Sequence, residues 1–484
     1  MATAIKFGTS GWRAIVADEF TVANVRRAVS GIARYVRSTG SANPKLVVGR
    51  DPRFMGETFV EIAASILESY GITPLVISDA APTPAIAWEV IRQKADGAIN
   101  FTASHNPAQY NGIKFTTPDG APALPEITSR IEAAIVQANH VQADNVQADN
   151  THADQEGGAA PAGVKRAVRQ SIEVKSPYLA RLREIVDFKT IRESGLRVAF
   201  DPMWGAGRGY SDTVLREEGI ECAVVHDSRD VLFGGHAPEP DGELLDELRH
   251  KMKESGAGIG IACDGDADRF GIVDEDGAYV SPNYVIALLF DYLVETRGWR
   301  NGVAKSVATT NLINAVAAHH KIELYETPVG FKYIGELIKQ DKIIIGGEES
   351  AGLTIRYHVP EKDGVLAGLL LCEMVARRGK CLGSQLKELF SKVGSYYPER
   401  QNFRLTEAAK TKFIEKIRGN PSEFAGRKVS QIVRTDGLKL VLDDGSWVCY
   451  RVSGTEPVVR VYTEARSPEA LAELSAAARQ WAVD

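Results

Sequence analysis

A serine and a histidine that suit nucleophilic chemistry stand side by side in a short turn. Ser104 and His105 lie in the sequence TASHNP, directly after the apolar run GAINF at 97–101. Thr102 still adjoins that predicted strand, so the better candidate nucleophile is the hydroxyl of Ser104, with His105 placed to move protons. Asn and Pro also favour ordinary turns, and the motif alone favours that plain structural interpretation.

Three aspartates follow a second apolar run at alternate positions. Asp264, Asp266 and Asp268 lie in DGDADR, after GIGIAC at 258–263. Alternate side chains of an extended strand point the same way, which predicts a cluster of carboxylates. Such a cluster repels itself unless a cation lies among its members, and oxygen ligands suit a hard ion such as Mg²⁺. The next residue, Arg269, is suited to binding phosphate.

Two other interpretations of this acidic segment stay open. It partly fits an EF-hand calcium loop, with Glu275 eleven residues after Asp264. However, an EF-hand requires glycine at the position of Arg269, and the apolar residues 270–273 predict a strand where that motif enters a helix. The plainest alternative is a solvated acidic turn without a metal.

Two further loops carry residues that suit sugar or phosphate binding. GGEESAG follows the apolar run KIIIG and places Glu348 and Ser350 two positions apart, where both can hydrogen-bond one ligand. A polar loop is an equally good interpretation. RVSGTEPVVR, at 451–460, predicts a phosphate cradle, with a plain hairpin turn as the alternative. The candidate residues of this cradle are Arg451, Ser453, Gly454, Thr455 and Arg460.

One glycine-rich segment invites a dinucleotide-binding interpretation. DPMWGAGRG, at 201–209, follows an apolar run and precedes a helical pattern. Its glycine spacing is not a clean GxGxxG at the strand–helix junction. A plain connection between a strand and a helix is therefore favoured.

These loops need a framework, and most of the chain predicts one of alternating strands and helices. The predicted strands lie at 45–49, 73–78 and 97–101, at 196–201, 222–227 and 258–263, and at 306–310, 321–326 and 342–346. Amphipathic stretches such as 58–70 separate them. This repetition predicts α/β layers with mostly parallel sheets.

The C-terminal part of the chain predicts a different architecture. Its short predicted strands, separated by Asp-Gly turns, lie at 429–434, 438–442, 447–452 and 458–463. A final helix is predicted with Ser467 as N-cap and Pro468 at its first position. The pattern is typical of an α+β domain with an antiparallel sheet.

Length and composition limit the function. The 484 residues predict three or four domains, and a formal net charge of −6 argues against a protein whose main role is to hold nucleic acid. Five widely spaced cysteines predict neither disulfides nor a zinc site, and indicate the reducing cytoplasm. No signal peptide is expected. The apolar runs at 285–290 and 364–372 are too short to span a bilayer and predict buried helices.

One segment predicts no packed structure. HVQADNVQADNTHAD, at 140–154, is built on a tandem repeat of five residues, and Gly, Ala and Pro punctuate 155–163. Because large apolar groups are few, residues 138–170 are predicted to form a mobile insertion. Its His and Asp content suits a solvated loop better than a metal site.

In their order along the chain, these loops together resemble those of the α-D-phosphohexomutase superfamily. The motifs that carry the resemblance are FGTSGWR (Phe7–Arg13), TASHNP, DGDADR, GGEESAG and RVSGTEP. The resemblance implies an α/β fold of four domains around a central cleft, three with related mixed-sheet cores and a C-terminal α+β phosphate-binding domain. The implied domains are 1–170, 171–281, 282–394 and 395–484.

The resemblance also implies a role for each matched residue. The phosphoryl group would be carried by Ser104, and Mg²⁺ would be held by Ser104, Asp264, Asp266 and Asp268. The residues implied in catalysis are Ser104, His105, Lys114 (in NGIKF), Lys332 (in TPVGFK), Arg13 and Arg269. The residues implied in substrate binding are Glu348, Ser350, Arg451, Ser453, Gly454, Thr455 and Arg460.

The activity implied is that of a phosphoglucomutase, which interconverts α-D-glucose 1-phosphate and glucose 6-phosphate. Mg²⁺ is the implied cofactor and glucose 1,6-bisphosphate the implied intermediate and activator. GEESAG together with TPVGFK favours glucose, since bifunctional relatives more often end the sugar loop in Gly-His, where this chain has Ala351-Gly352. A phosphomannomutase, a bifunctional or amino-sugar mutase, and a non-catalytic phosphosugar sensor are the alternatives. The expected partner is a phosphosugar, with no nucleic acid and no membrane.

Overall fold

The chain divides into two units, each with its own sheets. The first comprises Met1–Tyr279 and Gly352–Cys381, and the second comprises Val280–Ala351 and Leu382–Asp484. The structure, a computed structural model, describes residues 5–8, 10–145, 163–452 and 458–483. Among these residues, no helix combines the length and apolar character needed to cross a membrane.

The first unit begins with a six-stranded mixed sheet. Its strands are β1 (Trp12–Ile15), β2 (Lys45–Arg50), β3 (Thr73–Ile77), β4 (Ala98–Phe101), β5 (Tyr110–Thr116) and β6 (Gln170–Ile172), in the order β1-β5-β4-β2-β3-β6. The strands β4, β2, β3 and β6 run parallel, whereas β5 is antiparallel to both β4 and β1. The helices are α1 (Val22–Ser38), α2 (Gly56–Ser69), α3 (Thr83–Gln93), α4 (Pro125–Asn145), α5 (Lys175–Ile185) and α6 (Phe188–Glu193).

A four-stranded sheet follows and repeats one feature of the first. Its strands are β7 (Val198–Asp201), β8 (Cys222–Val224), β9 (Ile259–Cys263) and β10 (Phe270–Val273), in the order β10-β9-β7-β8, with helices α7 (Ser211–Glu217) and α8 (Asp246–Ser255). The strands β9, β7 and β8 are parallel, and β10 pairs antiparallel with β9. In both sheets a buried parallel strand therefore turns back through a short loop into an antiparallel partner: β4 into β5, and β9 into β10.

The second unit opens with three parallel strands and their helices. These elements are α9 (Pro282–Arg297), β11 (Gly302–Ser306), α10 (Leu312–His320), β12 (Leu324–Thr327), α11 (Phe331–Lys339) and β13 (Ile343–Glu348). Strand β11 lies between β12 and β13 and is parallel to both. The chain then contributes β14 (Gly352–Ile355) and α12 (Gly364–Arg378) to the first unit. The apolar runs at 285–290 and 364–372 form buried parts of α9 and α12, which confirms the predicted buried helices.

The C-terminal part of the second unit is an antiparallel sheet with helices, as predicted. Its elements are α13 (Leu382–Val393), β15 (Tyr397–Arg404), α14 (Glu407–Lys416), β16 (Glu423–Phe424), β17 (Arg427–Val433), β18 (Leu438–Leu442), β19 (Trp447–Val452), β20 (Val458–Ala465) and α15 (Pro468–Val483). The sheet order is β15-β20-β19-β18-β17-β16. Ser467 Oγ accepts a hydrogen bond from the N–H of Ala470, which confirms the predicted N-cap of α15.

Two predictions about local structure were wrong. The strand predicted at 306–310 is instead β11, Gly302–Ser306, and the chain turns after it, with the N–H of Thr309 bonded to Ser306 O. Val307, Thr309 and Thr310 are β-branched and favour a strand, but they lie in and just after this turn. The insertion predicted at 138–170 is shorter, because α4 extends to Asn145 and β6 begins at Gln170 and pairs with β3. Residues 146–162 lie outside the described residues, so their mobility stays a prediction.

Candidate active site

Ser104 lies in the loop that joins β4 to β5. Its side chain is fully buried and its φ of 53° falls in the left-handed region, a strained conformation for a residue with a side chain. Thr102 Oγ1 accepts a hydrogen bond from the Ser104 N–H at 2.8 Å and donates to Asp51 Oδ2 at 2.7 Å. The turn is therefore tied to the buried end of β2.

Arg53 supports the same loop from beneath. Its side chain is 1% exposed and forms an ion pair with Asp51 at 2.9 Å. The guanidinium also donates hydrogen bonds to four backbone carbonyls of the loop, those of Ser104, Asn106, Pro107 and Tyr110, at 2.6–3.0 Å. A buried guanidinium that fills its donor positions in this way fixes the conformation of the loop that it holds.

The three aspartates lie in the corresponding loop between β9 and β10. Strand β9 ends at Cys263, so the expected alternation along a strand is wrong as a reason for their convergence. The chain instead makes a tight turn, in which Ala267 has a φ of 57° and its N–H bonds to Asp264 O at 2.9 Å. The turn still gathers the carboxylates, and Asp264 Oδ2 accepts a hydrogen bond from Ser104 Oγ at 2.6 Å.

The gathered carboxylates are fully buried, and one oxygen of each lies within 4.8 Å of the others. Cations and a hydroxyl surround them. Lys114 Nζ contacts Asp266 Oδ2 at 2.6 Å and Asp268 Oδ2 at 2.7 Å. Lys362 Nζ lies 2.8 Å from Asp268 Oδ2, and Thr83 Oγ1 donates to Asp266 Oδ2 at 2.6 Å.

The donor set fits a hard divalent cation. Asp266 Oδ1 and Asp268 Oδ1 are buried, and no hydrogen-bond donor within the described part of the chain reaches either atom. Buried carboxylate oxygens are normally satisfied, so these two atoms suit a metal ion as the missing partner. Burial and the two neighbouring aspartates raise the pKa of Asp264 well above its ordinary value. Ionisation of all three carboxyls is therefore unfavourable in this site, and an added cation would make it favourable.

The charges around Asp266 and Asp268 differ from those around Asp264. Burial raises the pKa of both carboxyls, but the Lys114 ammonium outweighs it, with the Thr83 hydroxyl at Asp266 and with Lys362 and Arg269 at Asp268. The pKa of Asp266 is therefore below its ordinary value, and that of Asp268 is well below it. The same contacts raise the pKa of Lys114 in spite of its burial. Lys114 is thus a protonated group that can donate hydrogen bonds and offset charge.

The remaining predicted residues of the first unit gather around Ser104. His105 Nδ1 lies 3.4 Å from Ser104 Oγ, and burial, together with Arg269 and Arg13, lowers the pKa of His105 well below its ordinary value. Arg13 donates to Asn106 Oδ1 at 2.7 Å, and the Arg269 N–H donates to Asp264 Oδ1 at 3.0 Å. A neutral imidazole beside a hydroxyl, flanked by guanidinium groups, suits proton transfer next to a phosphate.

In the second unit, the sugar-loop candidate lies at the end of β13. Glu348 is nearly buried, and its Oε1 accepts a hydrogen bond from the Gly330 N–H at 2.7 Å. Asp436 Oδ2 accepts from the Val329 N–H at 3.1 Å and pairs with Arg451 Nη2 at 2.7 Å. These contacts bring together the loop that contains TPVGFK, the loop that contains GGEESAG and Arg451 of the predicted phosphate cradle.

The other second-unit candidates lie on the loop after β13, on α11 and on the C-terminal sheet. Ser350 is half-buried two residues beyond β13, and Lys332 lies in the first turn of α11. Arg460 on β20 is directly opposite Arg451 on β19, so the two guanidinium-bearing residues are cross-strand neighbours. The predicted cradle residues Ser453, Gly454 and Thr455 lie outside the described residues.

Two charged side chains of this site, Lys362 and Arg53, were not predicted from the sequence. Lys362 stands in EKDG, directly before the apolar helix α12, and Asp363 of that motif caps the helix. A charged run before a buried helix was the available signal. Arg53 stands in GRDPR, where the signal was an arginine two residues after an aspartate at the end of a strand.

Comparison with known proteins agrees with this arrangement. Four phosphoglucomutase/phosphomannomutase domain families match successive parts of the chain: alpha/beta/alpha domain I at 4–142, domain II at 176–277, domain III at 281–393 and the C-terminal domain at 401–480. Together these matches cover most of the 484 residues.

Individual relatives carry several names. Human phosphoglucomutase-1 is 31% identical over 93% of this chain and 88% of its own length. A "Probable phosphoglucosamine mutase" of Methanobrevibacter smithii is 31% identical over 96% of both chains. The crystal structure of a "putative phosphomannomutase" from Thermus thermophilus superposes with a TM-score of 0.83, at 30% identity and 99% coverage of both chains.

The fold and site are those of an enzyme that moves a phosphoryl group within a sugar phosphate. The chain belongs to the phosphoglucomutase/phosphomannomutase family of the α-D-phosphohexomutase superfamily, as the resemblance of its motifs implied. It is accordingly an intramolecular phosphotransferase, in the isomerase class.

Proposed function

We propose that this enzyme is a phosphoglucomutase that interconverts α-D-glucose 1-phosphate and glucose 6-phosphate through phospho-Ser104. The observation that carries the proposal is the hydrogen bond of 2.6 Å from Ser104 Oγ to Asp264 Oδ2. It places the candidate phosphate carrier at the edge of three buried carboxylates that suit a divalent cation.

Mg²⁺ would be held by Asp264, Asp266, Asp268 and an oxygen of the phosphoserine. When bound, it would act as a Lewis acid on the phosphoryl group. The two oxygens without a donor, Asp266 Oδ1 and Asp268 Oδ1, support this assignment.

The residues around Ser104 supply the rest of the chemistry. The P–O bond to Ser104 Oγ breaks as a sugar hydroxyl forms a new bond to the same phosphorus. The neutral His105 is proposed to accept the proton of that hydroxyl, which its Nδ1, 3.4 Å from Ser104 Oγ, supports. Arg13, Arg269 and the protonated Lys114 would offset negative charge on the transferring group.

The second half of the reaction reverses these steps at the other end of the sugar. The bound glucose 1,6-bisphosphate turns, and the phosphate that the sugar carried as substrate passes to Ser104 Oγ. The sugar oxygen that this phosphate leaves takes back the proton. Glu348 and Ser350 are proposed to bind sugar hydroxyls, and Lys332 to contact the substrate. The proposed cradle for the phosphate that does not react consists of Arg451, Ser453, Gly454, Thr455 and Arg460. The contact of Asp436 with both Arg451 and the Val329 N–H supports a shared role for the loops of the second unit.

Glucose is the proposed hexose because GEESAG and TPVGFK occur together in this chain. Human phosphoglucomutase-1 supports the choice, whereas the names of the other two relatives indicate mannose and an amino sugar. The proposed location is the cytoplasm, supported by five cysteines of the described chain that form no disulfide.

The direct test is a coupled assay for conversion of glucose 1-phosphate to glucose 6-phosphate, with Mg²⁺ and a trace of glucose 1,6-bisphosphate. Ser104→Ala is compared with Ser38→Ala, which removes an exposed hydroxyl at the end of α1. Turnover is expected to collapse only in Ser104→Ala. Peptide mass spectrometry should find phosphate on Ser104 after incubation with the bisphosphate.

Parallel assays with mannose 1-phosphate and glucosamine 1-phosphate determine the hexose. A higher kcat/KM for either of these sugars would overturn the glucose assignment and keep the phosphoserine mechanism. Binding of all three sugars without turnover would instead support the phosphosugar sensor. Full activity of Ser104→Ala would contradict the mechanism itself.

A further inference from the structure

The loop of the three aspartates, residues 264–269, is called the metal loop below. Two backbone hydrogen bonds hold it at Gly265, between the first two aspartates. The Ala206 N–H donates to Gly265 O at 2.9 Å, and the Gly265 N–H donates to Pro238 O at 3.2 Å. Gly265 also lies against the loop of the candidate nucleophile, since a Cβ on this glycine would stand 2.5 Å from Ser104 O. The positions of Asp264 and Asp266 therefore depend on two loops that carry none of the predicted catalytic residues.

One of these loops connects β7 to α7 and contains Ala206, and the other connects β8 to α8 and contains Pro238. The two loops meet at the indole of Trp204. Trp204 belongs to the connection from β7 to α7, where a Cβ on Gly205 would approach the carbonyl oxygens of Asp264 and Gly265 to 2.9 Å. The other loop packs closely on the ring itself, because a Cβ on Gly234 would lie 2.4 Å from the indole. The glycine-rich segment that resembled a dinucleotide site is thus a support for the metal loop.

His226 completes this support. Its ring stacks on the Trp204 indole, with ring centroids 3.7 Å apart. The backbone carbonyl oxygen of His226 accepts a hydrogen bond from the backbone N–H of Trp204 at 3.2 Å. Nδ1 faces both oxygens of Asp201 at 2.9 and 3.0 Å, and Nε2 faces Glu247 Oε2 at 2.9 Å. Because both ring nitrogens face carboxylates, both act as donors, which requires the imidazolium form.

The charges around His226 support that form. Burial lowers the pKa of His226, but Asp201 on β7 and Glu247 on α8 outweigh burial, so the pKa is raised. His236 faces the indole of Trp204, with its ring 5.7 Å away. Asp201 is fully buried, and its Oδ1 also accepts the Met203 N–H at 2.7 Å, which ties the imidazolium to the start of the supporting loop.

The backbone of this cluster is strained. Met203, Trp204 and His226 all have φ between 48° and 54°, in the left-handed region that residues with side chains rarely adopt. Strain of this kind persists where surrounding contacts enforce it, and it concentrates at functional sites. The stack of Trp204 on His226 and the two carboxylates at the His226 ring are contacts of this kind.

We propose that His226, held as an imidazolium between Asp201 and Glu247 and stacked on Trp204, is a positioning residue for the metal loop. It acts through the two loops that hold Gly265, and it thereby keeps the three aspartates in the positions in which they bind the metal. This inference rests on the proposed function, since it assumes that Asp264, Asp266 and Asp268 bind Mg²⁺.

The test is Mg²⁺ affinity, measured by isothermal titration calorimetry without sugar, on full-length proteins matched in Ser104 phosphorylation by intact mass. His226→Phe keeps a stacking ring and loses both hydrogen bonds. His250→Gln is the matched control, since His250 pairs with Glu254 on the exposed side of α8. The Kd for Mg²⁺ is expected to rise about 10-fold or more in His226→Phe, as is usual when an outer support of a metal site is lost. The control should stay within about twofold.

The pH dependence distinguishes positioning from a general loss of stability. Wild-type affinity should weaken as His226 loses its proton at rising pH, and His226→Phe should lack this alkaline weakening. Glu247→Gln removes an exposed carboxylate and should move the weakening to lower pH, because the imidazolium loses one partner. If His226→Phe fails to fold, the pH profile of Mg²⁺ affinity in Glu247→Gln still tests the proposal.

Unchanged Mg²⁺ affinity in folded His226→Phe, or an unmoved profile in Glu247→Gln, would overturn the inference while leaving the proposed function intact. Absence of Mg²⁺ binding by the wild type would overturn the metal assignment and this inference together. Mutase activity is assayed separately, so failure of the glucose assignment leaves the metal result interpretable.

Discussion

The guanidinium of Arg53 donates a hydrogen bond to the carbonyl oxygen of Ser104 at 2.7 Å. Arg53 lies just beyond the end of β2, and Ser104 lies in the loop after the neighbouring strand β4. The left-handed conformation of Ser104 thus has a support within the first sheet, independent of the metal loop. The hydroxyl is directed at Asp264 by a backbone that Arg53 fixes.

Arg53→Met should therefore lower kcat by about 100-fold or more, since a charge-assisted hydrogen bond contributes roughly 1.5–3 kcal/mol and several are lost. It should also destabilise the protein, because Asp51 is left buried without its partner. The double variant Asp51→Asn/Arg53→Met should regain stability in thermal unfolding but not kcat. The control Arg197→Met removes an exposed arginine that pairs with the exposed Glu221 and should change neither. Recovery of kcat in the double variant would show that Arg53 matters for stability alone.

Gly265→Ala should nearly abolish activity for a steric reason. The new methyl group would lie 2.5 Å from Ser104 O and 3.0 Å from Pro238 Cγ, closer than such atoms approach. The loop of Ser104 and the loop of the three aspartates must therefore separate. Gly207→Ala is the matched control in the same domain, since its methyl group would meet its neighbours at an ordinary 3.5 Å. The measurement is kcat for both variants at saturating Mg²⁺. Equal activity of the two would mean that the loops tolerate a wider gap than the structure indicates.

The chemistry of the site was more predictable from the sequence than its geometry. The carboxylates of DGDADR predicted a metal group, but the turn at Ala267 gathers them, and no strand continues through them. A left-handed residue at such a position cannot be read from an alanine. Lys362 was missed because it reaches Asp268 only through folding of a distant segment. Long-range contacts of this kind leave no local pattern.

The fold, too, was only partly predictable from the sequence. Apolar runs predicted most of the parallel strands, because buried strands are continuous in hydrophobicity. Strand β15, Tyr397–Arg404, was not predicted because its sequence, YPERQNFR, is largely polar. It forms a strand through its hydrogen-bonded pairing with β20. The false strand at 306–310 has the opposite origin: residues that favour strands occupy a turn after β11.

Mg²⁺ should stabilise the folded protein measurably. A ligand that binds only the folded state raises the unfolding free energy, by about 2.7 kcal/mol at 100 times its Kd. The thermal unfolding midpoint should therefore rise with Mg²⁺ and fall when EDTA removes it. Asp266→Asn should lose most of this response. Asp276→Asn, which changes an exposed carboxylate of the next turn, should keep it. A response of equal size in Asp266→Asn would place the metal elsewhere.

Asp436→Asn should weaken substrate binding more than turnover. Asp436 joins Arg451 to the Val329 N–H, so its charge orients the proposed phosphate cradle against the loop before α11. Loss of a charge-assisted pair should raise KM by about 10-fold. The control is Asp443→Asn in the neighbouring β18–β19 turn, where the carboxylate is exposed. A fall in kcat with KM unchanged would contradict a role in substrate binding.

A buried lysine in the second unit should make stability depend on pH. Lys305 is fully buried, and burial together with Lys439 lowers its pKa from 10.5 to about 8, although Glu326 lies 3.2 Å away. Between these two values the unfolded chain binds the proton and the folded protein does not. Stability conferred by this position therefore rises with pH across that window.

Lys305→Met removes the titrating group and nearly preserves its volume. The difference in stability between wild type and Lys305→Met should shift in favour of the wild type from about pH 8 to pH 10.5, by at most roughly 3 kcal/mol. Thermal unfolding of both proteins across that range measures the shift, with Lys342→Met, an exposed position just before β13, as control. A constant difference between Lys305→Met and wild type would mean that Glu326 keeps the buried ammonium charged throughout.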